Sequence, residues 1–293
     1  MASEHQLLHY ALEYHIPKDS VGVRPAGERR SGPVWLLWLT LMALRYHFWQ
    51  VVQFLLLGVL FCLVPLVVAG VAAGWLKQAG FEWVGFLTYV ATWPVVVPVA
   101  AGLSHAILLV VQRYRPPWYE VVRPVLNLRL YGNVLMAGLP AIAAMWATSF
   151  GLMLAGVSPA LGGFGQGIWA NWVSRLPGAV LPNLMVLPFS FAGLDAVATW
   201  SPFGLSLRRN LRFAARNLRL LLGFGLVQVA IGSGSALTEM LCRHRKDWLP
   251  EGTVWLVVLI VGGLAAWLMI VSVGAVVHPM FYREFVWRER EAG

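Results

Sequence analysis

Charge is what this chain has least of: 12% of its 293 residues are charged and 13 are acidic, about half the charged share of a soluble domain. That scarcity excludes an ordinary water-soluble fold. Cysteine is nearly absent as well, with Cys62 inside an apolar run and Cys242 in an expected outer loop, so no disulfide framework is suggested. Catalytic signatures are missing too. No GxSxG, Walker A loop, glycine-rich dinucleotide fingerprint, CxxCH or HExxH occurs, and no acidic cluster could hold a divalent ion. The chain therefore reads as non-enzymatic.

What it has in abundance is apolar length. Six blocks divide the sequence: Gln50 to Leu76, Val84 to Val111, Asn133 to Val157, Leu176 to Trp200, Leu220 to Thr238 and Thr253 to Val277. A membrane span needs about 20 apolar residues, and segments this long must cross lipid as α-helices, which satisfy their own backbone. The expected fold is all-α, a polytopic transmembrane helical bundle of about six spans with basic interfacial helices. A polar N-terminal tail is expected over 1–32, where Glu4, Glu13, Asp19 and Glu28 leave no apolar core for a signal peptide. The transmembrane domain is expected over 33–278 and a C-terminal tail over 279–293.

Basic residues alternate across these blocks. Lys18, Arg24, Arg29, Arg30 and Arg45, then Arg113, Arg115, Arg123 and Arg129, then Arg208, Arg209, Arg212, Arg216 and Arg219, and finally Arg283, Arg288 and Arg290 fall on one side. The other side holds only Lys77, Arg175, Arg243, Arg245 and Lys246. Positive-inside bias predicts a cell inner-membrane protein with both termini cytoplasmic. The net charge of +9 then lies against anionic inner-leaflet head groups and is not a nucleic-acid signature.

Three inner segments look alike. Each opens at a proline (Pro33, Pro117, Pro202), passes an arginine (Arg45, Arg129, Arg212) and reaches an amide (Gln50, Asn133, Asn217) at a span entrance. They suggest three units of interfacial helix plus transmembrane hairpin, against the alternative of chance similarity. Proline favours the first helical turn, and Ser201 is a suitable N-cap for the third segment. There Leu207, Leu211, Ala214 and Leu218 form one stripe and Arg208, Arg212, Arg216 and Arg219 a neighbouring one, the pattern of a basic interfacial helix whose expected lipid contacts are Arg208, Arg209, Arg212, Arg216 and Arg219. Pro65, Pro94, Pro98, Pro140, Pro182 and Pro188 should bend the first four spans. Gly70 with Gly74, and Gly225, Gly232 and Gly234, offer thin faces for close helix packing, and the Gly162 to Trp172 stretch should rest at the outer interface.

Few polar residues could carry chemistry. Asp195 is the one carboxylate well inside a block; it is a proton or substrate candidate, or a structural partner of Arg208 or Arg209. His47, His105 and His278 lie near the inner ends of the first, second and sixth blocks. Imidazoles there can ligate a haem or a magnesium-porphyrin pigment, or simply bond a backbone carbonyl or a head group. His5, His9 and Glu13 share a helical spacing that permits a metal site, though an exposed polar face has the same spacing.

The stretch from Val186 to Ala230, VLPFSFAGLDAVATWSPFGLSLRRNLRFAARNLRLLLGFGLVQVA, resembles the six-span membrane-domain family that is sometimes fused to glycerophosphoryl diester phosphodiesterases. Asp195, Ser201, Pro202, Arg208 and Arg212 match that layout, and AVVHPMFYREFVWRE resembles the family's exit from the last span. The resemblance implies a membrane domain without hydrolase residues, since that chemistry belongs to a separate soluble domain. The leading expectation is a subunit or scaffold of a larger membrane assembly, bound to lipid and to other membrane proteins or to itself. Two alternatives stand beside it: a pigment- or haem-binding subunit, and a transporter of a small or lipidic substrate.

Overall fold

The computed structural model describes residues 33–80, 91–112, 114–154, 184–243 and 253–287, with residues 88 and 181. The tail over 1–32, the Gly162 to Trp172 stretch, Arg113, Arg175, Arg245, Lys246 and the last six residues lie outside the described set. Among the described residues every regular element is helical.

The chain runs through α1 (Pro33–Gln78), α2 (Trp93–Val111), a 3-10 turn (Trp118–Glu120), α3 (Arg123–Leu126) and α4 (Leu128–Leu154). A second 3-10 turn (Leu187–Phe189) precedes α5 (Ala192–Thr199), α6 (Phe203–Arg216), α7 (Leu218–Arg243), α8 (Thr253–Phe281) and a π-helical segment, Tyr282–Trp287. Among the described residues four helices, α1, α2, α4 and α8, are long and apolar enough to cross a membrane; α6 with the start of α7 adds a fifth if that pair, bent by 100°, is one broken span. The expected fourth block appears as Leu184–Thr199, interrupted by the second 3-10 turn at Pro188.

The three proline-led segments take three different shapes. The first is continuous with its span, because α1 runs unbroken for 46 residues. The second breaks into the short turns before α4. The third is a separate 14-residue helix, set at a steep angle to the start of α7. The reason is local: residues 33–50 are mostly apolar and lack a glycine, so nothing competes with helix continuation, whereas Asn217 leaves helical geometry between α6 and α7 with φ −122°.

Prolines act less uniformly than their spacing suggests. Pro94 starts α2, a position that needs no donor, while Pro65, Pro98 and Pro140 sit inside continuous helices. The last helix also contains one, Pro279, beyond the expected end of its block. Within the expected C-terminal tail, Met280, Phe281, Tyr282 and Val286 are buried.

The main core gathers around α8, which packs on α1, α7 and α2. Phe191, Phe224, Phe281 and Tyr282 fill it together with Leu36, Val51, Ile107 and Val277. A smaller cluster, Leu130, Val134, Ala137, Ala192, Ala196 and Val197, joins α4 to α5. Glycine permits close approaches at Gly58, Gly102, Gly138 and Gly225. A methyl at Gly102 would strike the Val121 carbonyl, and one at Gly225 would meet Leu187 and Leu184. Gly74 faces nothing within 4 Å, so one half of the expected Gly70/Gly74 pair has no packing partner among the described residues.

Candidate functional site

Polar side chains converge at one end of the bundle, where α2 and α5 end, α4 begins and α6 crosses. Asp195 lies in the first turn of α5 and is 2% exposed. Its carboxyl oxygens take separate partners. Tyr282 donates its hydroxyl to Oδ1 at 2.7 Å, and the Arg209 guanidinium stands 3.5 Å from Oδ2. Arg209 also donates to the Ser201 hydroxyl at 3.0 Å, and the Thr199 and Ser201 hydroxyls are hydrogen-bonded at 2.7 Å. The structural pairing expected for Asp195 is thus made by Arg209, and Arg208 stays exposed.

Ser201 does not cap α6. The N-cap is Pro202, with no side-chain cap bond. Asn133 of α4 instead accepts the Phe203 N–H at 3.4 Å, so one of the amides singled out at a span entrance ties the start of α6 to α4. Asn127 caps α4 in the ordinary way by accepting the Leu130 N–H at 3.1 Å.

A second cluster lies beside the first. Glu120 receives both carboxyl bonds from Arg123, at 2.9 and 3.0 Å, and His105 Nδ1 approaches to 3.6 Å, just beyond a hydrogen bond. Burial raises the Glu120 pKa, but the His105 imidazole and the Arg123 guanidinium outweigh it and hold the carboxyl below its ordinary value. Arg123 also lies 4.6 Å over the Trp200 ring, within cation–π range. Trp200 ends α5 at φ 54°, a left-handed position usually given to glycine. Arg123 therefore connects the Glu120 cluster to the junction that carries Ser201.

The three histidines do not meet in one site. His47 Nδ1 is 3.2 Å from the Gln50 side-chain oxygen, and His105 faces Glu120. His278 donates Nε2–H to the Ser190 carbonyl at 3.1 Å and stacks on Phe191 with centroids 4.7 Å apart. Its ring is thus part of the aromatic core, one nitrogen already committed. Among the described residues no group of three or more His, Cys, Asp or Glu is placed to hold a metal.

Sequence reasoning missed the partners rather than the centre. Tyr282 is 87 residues from Asp195, and Glu120, the single acid between the second and third blocks, belongs to no motif that marks it. On α6 the buried face carries Ser206 and Asn210 beside Phe213 and Ala214. Arg208, Arg212, Arg216 and Arg219 are all exposed, and Arg209 alone turns inward. No family model, curated protein or solved structure matches this chain.

Proposed function

We propose that this chain is a non-enzymatic inner-membrane protein that serves as a subunit or scaffold of a larger membrane assembly, with six spans and the polar end of its bundle facing the cytoplasm. The length of α1 carries this reading. Its 46 residues extend about 69 Å. A bilayer with its head groups is about 45 Å thick, and at a steep tilt of about 40° it would enclose about 59 Å of helix. At least roughly 10 Å of an apolar helix is left over. Near its first end Trp38, Leu41, Tyr46 and Trp49 are exposed, and near its last end Val71 and Trp75 are exposed. Apolar surface beyond the lipid belt marks a protein contact.

The polar residues support the same reading. Arg209 and Tyr282 both hold Asp195, and Arg123 holds Glu120, which is how a structural network uses charge rather than how a transport path presents it. The positive-inside distribution of arginines supports the orientation, and the likeness of Val186 to Ala230 to the six-span family supports a membrane domain without hydrolytic chemistry. Gentle extraction from native membranes followed by native gels tests the role. The expected result is a complex larger than the 32.4 kDa chain with a reproducible partner, another protein or further copies; a solitary monomer in every mild detergent contradicts it.

A further inference from the structure

We propose that the exposed arginine face of α6, Arg208 and Arg212 with Arg219 just past its end, is a docking surface for anionic phospholipid, and that Arg209 is excluded from it to anchor the helix. The proposal rests on the membrane reading but not on the scaffold role. Three observations meet here. First, α6 is bent 100° from the start of α7, so when α7 crosses the bilayer α6 runs along its surface. Second, the helix divides its residues by face: Ser206, Asn210, Phe213 and Ala214 are buried, while Arg208, Arg212 and Arg219 are exposed beside exposed Leu205, Leu211 and Leu218. Basic and apolar side chains side by side on an uncovered helix suit the boundary between head groups and acyl chains. Third, no acidic residue occurs between Asp195 and Glu239, and Asp195 is taken by Arg209 and Tyr282. The charge of this face has its complement in lipid phosphate.

Each basic residue near an anionic surface contributes about fivefold in affinity, and screening shortens its reach in salt. The whole chain in a neutral detergent, titrated with dioctanoyl phosphatidylglycerol or dioctanoyl phosphatidylcholine and followed by native mass spectrometry, reads this directly. The wild-type chain is expected to prefer the glycerol lipid at least about tenfold. The Arg208→Gln/Arg212→Gln/Arg219→Gln variant is expected to lose at least about tenfold of that affinity and keep its thermal midpoint, whereas Arg209→Gln lowers the midpoint and keeps the lipid preference. If the triple variant does not fold, raising salt to about 0.5 M must weaken wild-type binding of the glycerol lipid but not of the choline lipid. Equal wild-type affinity for both lipids, salt-insensitive binding, or undiminished binding by a folded triple variant overturns the proposal. None of these outcomes depends on whether a partner protein is found.

Discussion

At the level of single residues, the balance is between the cost of burying charge and the bonds that offset it. Asp195 is almost fully enclosed, and an uncompensated carboxylate there would cost several kcal/mol. The Tyr282 hydroxyl returns about 1.5–3 kcal/mol, the range for a hydrogen bond to a charged group, and Arg209 supplies the counter-charge. Glu120 is the residue whose titration can be followed. Its pKa is lowered from 4.5 in the folded chain, so its contribution is complete above the unfolded value and is lost as pH falls through the lower folded value. Thermal midpoints measured across acid pH should therefore fall below about pH 4.5, and Glu120→Gln should flatten that part of the curve. Parallel curves for the two proteins would show that the Arg123 and His105 contacts do not stabilise the folded chain.

At the level of elements, what could be read in advance depended on how far apart the deciding residues stand. Apolar runs announced α1, α2, α4 and α8, because crossing lipid requires about 20 apolar residues in sequence. The basic stripe of α6 was equally plain, being periodic within one helix. The continuity of α1 was hidden: Arg45, His47 and Gln50 look like a boundary, yet an unbroken helix accommodates them, with His47 and Gln50 bonded to each other. Ser201 looked like a cap because caps are local, but its hydroxyl is claimed by Arg209 eight residues on. In the fourth block Pro188 stands in a 3-10 turn, whereas Pro65 lies within the continuous helix α1. Gly102 shows how closely two elements meet. The Val121 backbone passes so near it that a side chain cannot be housed by a rotamer change, and forced overpacking costs about 1–3 kcal/mol or more. Gly102→Val should lower the thermal midpoint by several degrees and weaken the contact between α2 and the first 3-10 turn. An unchanged midpoint would mean that this approach is looser than described.

At the level of the whole molecule, one end of the bundle differs from the rest. Two ion-paired clusters, the left-handed Trp200 junction and the exposed arginines of α6 all gather there, while the last turns of α1, running the other way, are apolar up to Lys77 and Gln78. Asp195 and the arginines were visible from sequence; the pairing that makes them a single end of the molecule was not, since it joins residues 14 and 87 positions apart. The proposed function requires this end to be one membrane face, the cytoplasmic one. Cysteine accessibility in sealed membranes tests it most directly, using a chain with Cys62 and Cys242 replaced by serine and single reporters at Gln78, Trp118 or Arg212. A membrane-impermeant thiol reagent should reach positions 118 and 212 only from the cytoplasmic side and position 78 only from the outside; labelling of 118 and 212 from opposite sides, or of both from the outside, would overturn the proposed orientation.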